Sequence, residues 1–138
     1  PKPQNLNSNR RVLKIKLNPP IDGKIISKFG IKSDGIMNEG VYIEAEFGTI
    51  VKSSAEGKVI FAGSDLKDFG KLIIIKHSEN LISTYAHLSK IYVNEGDGIS
   101  SGQPIAEVGL SGKVTKAQLY FEIRQNNEAL DPIVYIDS

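Results

Sequence analysis

Acid–base or metal chemistry in this chain would have to draw on two imidazoles, His77 and His87, and on the run Gln118 to Arg124. A catalytic zinc takes three imidazole, carboxylate or thiolate ligands and keeps a position open for water. With two histidines and no cysteine in 138 residues, a set of this kind would be His77, His87 and a carboxylate such as Glu79. His77, however, directly follows the apolar run Leu72-Ile73-Ile74-Ile75, and capping the end of a buried strand is the simpler use for it. The lack of cysteine also excludes disulfides, thiolate sites and Cys nucleophiles. The second chemistry available is recognition. Gln118 to Arg124 alternates, with Leu119, Phe121 and Ile123 on one face and Gln118, Tyr120, Glu122 and Arg124 on the other. Tyr and Arg side by side on a strand face have the composition of an interface anchor.

The elements that must position these residues are strands. From Leu17 onward the chain consists of short Val, Ile, Tyr and Phe-rich runs broken by Gly, Asn, Asp and Ser. Examples are Gly23 to Phe29, Val41 to Ile43, Gly57 to Ala62, Leu72 to His77 and Ile82 to Tyr85. No apolar pattern keeps a helical period for three turns, so the expected class is all-β. Leu72 to Ile75, apolar without alternation, reads as a central strand covered on both faces. Two stretches echo each other: Gly48 to Ile60 and Glu95 to Gly109 each place a Gly turn before a short strand, then a second turn and strand. The pattern Gly-Asp-x-Ile-x-x-Gly-Gln-x-Ile-Ala resembles the half-unit of barrel-sandwich hybrid folds such as lipoyl carrier domains. A carrier also needs a Lys at a tight hairpin tip in a short acidic-hydrophobic context, and none is present.

Seventeen basic against sixteen acidic residues leave a net charge of +1, which gives no electrostatic case for nucleic acid or an anionic membrane. The basic run Arg10 to Lys16 reads as a solvated strand face or linker. No window approaches the roughly 18 apolar residues of a membrane span. Residues 1–16 are polar and rich in Pro and Asn, the composition of a linker tail; residues 17–138 form a single domain. The chain starts at Pro1 with no leader-like segment and is read as a fragment or mature domain.

A set of ordered blocks over roughly Pro20 to Ile136 carries a resemblance. They are Asn38-Glu39-Gly40-Val41-Tyr42, Gly48-Thr49, Phe69-Gly70-Lys71-Leu72-Ile73-Ile74-Ile75-Lys76-His77, Tyr85-Ala86-His87-Leu88, Gly102-Gln103-Pro104-Ile105-Ala106, Gly109-x-Ser111-Gly112, and Gln118 to Arg124 with Asp131-Pro132. Together they resemble the lysostaphin/LytM-type peptidoglycan endopeptidases. The fold this implies is a duplicated hybrid barrel-sandwich of antiparallel sheets, with a groove over the central sheet. In active members a His and an Asp of the first motif and the last His of a His-x-His motif hold zinc. The second-motif His and the first His of His-x-His handle the attacking water.

By position, the ligands here become Asn38, Tyr42 and Tyr120, and the catalytic pair becomes His87 and Gln118. Asn offers only a neutral carbonyl, Tyr binds metal only after losing a proton with a pKa near ~10, and Gln is no base. The resemblance therefore implies no catalytic residue, no metal and no cofactor. It points instead to the degenerate LytM domains of NlpD- and EnvC-like murein hydrolase activators, which bind and switch on periplasmic zinc N-acetylmuramoyl-L-alanine amidases at the division septum of Gram-negative bacteria. Asn38, Tyr42, Tyr85, His87, Gln118, Tyr120, Glu122 and Arg124 are the expected groove and partner-binding residues, with Arg124 expected to pair with a partner carboxylate or cap an incoming helix. Two other readings stay open: a peptidoglycan-binding module that does not cut, and an active zinc endopeptidase.

Overall fold

The computed structural model describes residues 17–136; the linker expected over residues 1–16 lies outside them. Among the described residues, twelve strands and one short helix form in chain order: β1 (Lys24–Ser27), β2 (Gly30–Ile31), β3 (Met37–Asn38), β4 (Val41–Glu44), β5 (Ile50–Lys52), β6 (Gly57–Gly63), β7 (Lys71–Lys76), β8 (Leu81–Ile91), β9 (Gly98–Ile99), β10 (Pro104–Val108), β11 (Gln118–Gln125), β12 (Glu128–Leu130) and α1 (Pro132–Tyr135). The all-β class expected from the sequence holds, and the single helical turn has a local cause. Asp131 is its N-cap, with the Asp131 carboxylate accepting from the Ile133 amide, and Pro132 fills the first turn where no amide hydrogen is needed.

Ten strands make one antiparallel sheet in the order β1-β4-β11-β8-β7-β6-β9, with β10 bridging β8 and β5 and with β12 on β11; β2 and β3 pair as a separate hairpin. The sheet stays open, so the hybrid sandwich is present without a closed barrel. The two echoing sequence stretches exchange strands: β5 of the first pairs with β10 of the second, and β6 of the first pairs with β9 of the second. Each half thereby supplies the edge partner that the other lacks.

One face of the sheet covers the main core. Val41, Ile43, Val59, Ile73, Ile75, Tyr85, Leu88, Leu119, Phe121 and Ile123 are all buried in it. The opposite face carries a smaller cluster of Leu72, Ala86 and Tyr120, with Tyr42, Phe61, Phe69 and Ile74 packed against it. Strand β7 sits between β6 and β8 and feeds both faces, Ile73 and Ile75 to one and Leu72 and Ile74 to the other. A strand covered twice needs no polar alternation, which is why Leu72 to Ile75 has none.

Candidate functional site

Register places the groove residues. Across β4, β11 and β8 the partners Tyr42, Tyr120 and Ala86 form one row. Strict alternation would send His87 to the core face, next to the small residue on the groove face. It does not do so because β8 carries an extra residue here: Leu88 pairs with Lys71 and Tyr85 with Ile73, so three steps on β8 oppose two on β7. The extra residue is absorbed at His87, whose φ of 67° lies in the left-handed region. Such a bulge re-aims a side chain at a cost of about 1–2 kcal/mol for a non-Gly residue. His87 therefore joins the groove face beside Ala86, while Tyr85 and Leu88 stay in the core.

The result is a packed aromatic group. The Tyr42 and Tyr120 ring centroids lie 5.0 Å apart, those of Phe69 and Tyr120 5.6 Å, and those of Tyr42 and His87 6.0 Å. Gly40 makes this possible, since a Cβ there would meet the Tyr120 ring at 2.8 Å and the Phe121 carbonyl at 2.5 Å. Strand β3 with Glu39, and Leu66 and Phe69 of the loop before β7, help to line a cavity of about 490 Å³. Leu72, Ile74 and Thr84 make up part of the floor.

The polar members of the groove are bonded to one another. The Tyr120 hydroxyl donates to Glu122 Oε2 at 2.8 Å, and Arg124 Nε donates to Glu122 Oε1 at 3.0 Å. Arg124 also donates to the Asn127 carbonyl at 3.1 Å and forms an ion pair with Glu39. Burial, reinforced by the neighbouring Glu122 charge, holds the Tyr120 phenol far above its ordinary range; burial also raises that of Tyr42. The Asn38 amide donates to Ser27 Oγ at 3.1 Å and to the Lys28 carbonyl at 2.8 Å. His87 Nδ1 faces the Ser111 carbonyl at 2.8 Å, which can only accept, so the proton sits on Nδ1 and Nε2 is a bare acceptor. Among the described residues that Nε2 is buried without a partner.

This donor set does not fit zinc. Asn38 has committed its NH₂ group to the β1 end and presents at most an amide oxygen. The two phenols are pushed away from ionisation, and His87 Nε2 is one nitrogen where three good ligands are needed. His77 cannot complete a set, because its two ring nitrogens are already used by the Glu56 carbonyl at 2.8 Å and Ser83 Oγ at 2.7 Å.

Six of the eight residues expected from sequence, Asn38, Tyr42, His87, Tyr120, Glu122 and Arg124, meet at this groove. Two do not. Tyr85 is fully buried on the core face, its ring 5.4 Å from Phe121, because it precedes the bulge and keeps the alternation of Ser83 and Phe121. Gln118 sits at the start of β11, half-buried, with its amide donating to the Lys116 carbonyl at 3.0 Å, away from the cavity. Arg124, expected as a free anchor, is engaged by Glu122, Glu39 and Asn127. Sequence reasoning did not single out Phe69, Leu72 and Glu39 as groove residues. Phe69 stands beside Gly70 in one of the ordered blocks, and Glu39 follows Asn38, but only the packing shows which way they turn.

Tyr85 has a different task. The Glu56 carbonyl takes the His77 Nδ1 proton, so Nε2 must accept from Ser83 Oγ; Ser83 Oγ meets the Tyr85 hydroxyl at 2.7 Å, and the Ser54 amide donates to that hydroxyl at 3.1 Å. With His77 neutral every group in the run has a partner, whereas a proton on Nε2 would turn the Ser83 hydroxyl toward Tyr85 and leave the Tyr85 hydroxyl hydrogen without an acceptor among the described residues. Burial lowers the affinity of both His77 and His87 for a proton relative to the unfolded chain, whose imidazoles titrate near 6.5. The unfolded chain then binds more protons below that pH, so stability is full above it and falls as the pH drops through 6.5 and below. Urea midpoints at pH 7.5 and 5.5 should show this fall, and it should be smaller in His77→Gln. An equal fall in His77→Gln would remove His77 from the account.

Comparison with known proteins gives the family and the fold. Residues 36–132 match the model of peptidase family M23. The Pseudomonas aeruginosa lipoprotein NlpD/LppB homolog is 38% identical over 117 residues, covering 85% of this chain and 38% of its own. The Escherichia coli murein hydrolase activator NlpD is 37% identical over 117 residues, covering 85% of this chain and 30% of its own. The chain thus spans little more than a third of these relatives at most. A solved structure of a putative M23 peptidase from Pseudomonas aeruginosa superposes with a TM-score of 0.81 at 28% identity, over 98% of this chain and 58% of that one. A matched segment that contains β4, β7, β8 and β11, with the aromatic groove built on them, establishes that the chain belongs to peptidase family M23.

Proposed function

We propose that this domain is a non-catalytic regulator of peptidoglycan hydrolysis that binds and activates a zinc N-acetylmuramoyl-L-alanine amidase during cell division, in the periplasm of a Gram-negative bacterium. The observation that carries the reading is the groove itself. Where an M23 enzyme needs metal ligands, this chain has two un-ionised tyrosines stacked with Phe69 and His87. Beside them, Glu122 is satisfied by Tyr120 and Arg124. Rigid aromatic area beside a preorganised polar rim is what a protein partner grips, because little side-chain entropy is lost on binding. The similarity to a protein named murein hydrolase activator supports the same reading. So does a lipoprotein among the relatives, which suits an envelope location.

The test is dye release from labelled peptidoglycan with the domain alone, the source bacterium's zinc amidase alone, and both together. Release by the mixture well above the sum of its parts is the expected result. Release by the domain alone, abolished by a chelator, would overturn the proposal in favour of an endopeptidase. No stimulation, with the domain retained on sacculi, would replace it with a wall-binding module.

A further inference from the structure

The charged groups lining the groove are Glu39, Glu122 and Arg124, among residues otherwise apolar or neutral. They do not contribute equally to the surface. Glu122 is enclosed, with 11% of its side chain exposed, and Arg124 keeps 27%; Glu39 keeps 49%. Arg124 is close to saturated as a donor: Nε and one terminal nitrogen serve Glu122, that same terminal nitrogen serves Glu39, and the other serves the Asn127 carbonyl. A guanidinium has five N–H groups, so a partner carboxylate would find one left over and would first have to displace Glu39. Glu122 accepts on both oxygens and has little left to offer. Glu39, by contrast, uses one oxygen on Arg124, and among the described residues the other has no hydrogen-bond partner on a side chain that is half exposed. The three formal charges sum to a single negative one, and its outward bearer is Glu39.

We infer that the polar end of the groove receives a cationic side chain, a Lys or Arg of the partner, at Glu39, next to apolar side chains that cover Met37, Leu66 and Phe69. The inference rests on the proposal that the groove is a protein-docking site and specifies the chemistry of what docks there. Charge complementarity supplies the argument. An apolar segment carrying an acid at this point would meet Glu39 directly, in a concavity whose low polarity strengthens the repulsion. A segment carrying a base adds to an ion pair already in place and turns Glu39–Arg124 into a row of alternating charge. Arg124 then acts as a positioning residue, holding Glu39 and Glu122 for the partner.

The test measures binding of the zinc amidase to the wild-type domain, to Glu39→Gln and to Glu39→Lys, at about 50 and about 300 mM salt. Glu39 is half-exposed, so both variants should fold. The expected result is a weakening of roughly three- to tenfold for Glu39→Gln and more for Glu39→Lys at low salt, with the differences shrinking at high salt as exposed charges are screened. Tighter binding by Glu39→Gln would overturn the inference, since it would show that Glu39 competes with a partner carboxylate for Arg124. Unchanged binding in both variants would overturn it as well. Failure of the wild-type domain to bind the amidase at all would instead remove the docking proposal on which the inference rests, and the inference with it.

Discussion

Tyr120→Ala should destabilise the domain by about 3–5 kcal/mol, the usual cost of deleting a buried aromatic ring, and should abolish stimulation of the amidase. The residue is 5% exposed, its ring packs with Tyr42, Phe69 and His87, and the ring's edge lies against Gly40. Removing it leaves a hole between β4 and the Phe69 loop and takes from Glu122 Oε2 the shorter of its two hydrogen bonds. Tyr120→Phe separates these effects. It keeps the stack and loses only the hydrogen bond to Glu122, so a loss nearer ~1 kcal/mol is expected, with most of the stimulation retained. Urea denaturation gives the stability, and dye release at a temperature where both variants remain folded gives the function. Full stimulation by folded Tyr120→Ala would show that the amidase does not use this groove.

Gly70→Ala should be at least as damaging, although its side chain would never reach the cavity. Gly70 has a φ of 65°, and a Cβ there would lie 2.4 Å from the Ser111 carbonyl carbon and 2.5 Å from the Gly112 nitrogen, both backbone atoms. Backbone cannot yield as a flexible side-chain tip can, so strain and clash together should cost upwards of about 3 kcal/mol. The damage spreads through the contacts around Ser111. Ser111 Oγ accepts from the Lys71 amide at 2.9 Å and donates to the Leu88 carbonyl at 2.6 Å, and the Ser111 carbonyl holds His87. The Phe69 carbonyl in turn takes the His87 amide at 2.9 Å. Forcing Gly70 and Ser111 apart therefore moves Phe69 and His87 together. Gly98→Ala is the control: a methyl group at that position would have nothing within 4 Å of it, and stability should stay within about half a kcal/mol of wild type. A Gly70→Ala variant as stable as Gly98→Ala would mean that the two loops do not touch as described.

How much of this was legible in the sequence depends on the range of the interaction that decides each residue. The faces of β11 were readable because alternation is local: Leu119, Phe121 and Ile123 are all buried, as their spacing demands. Strand β7 was readable because a residue run covered on both faces needs no polar positions. Tyr85 was misplaced because its neighbour His87 does reach the groove, and only a bulge tells the two apart. That bulge is fixed by the register of β7 against β8, and no property of the stretch from Ser83 to Leu88 reveals it. Arg124 looked like a free anchor because alternation puts Glu122 on its face without showing that the two bond, and its third partner, Glu39, is 85 positions away in the chain. Gln118 followed from the resemblance alone, and the β11 start has drawn it to the Lys116 carbonyl instead.

The cross-exchange of strands between the two halves bears on how the molecule comes to exist. β5 waits for β10 and β6 for β9, and β4 has its groove partner only when Val41 meets Phe121. Such pairings close long loops before they gain anything, which slows folding and discourages stable intermediates. No stretch that ends before Gln118 can assemble the aromatic groove, however well its own strands form. The aromatic groove is therefore either complete or absent, and a product that stops short of β11 has the tyrosine of β4 but nothing for it to stack on.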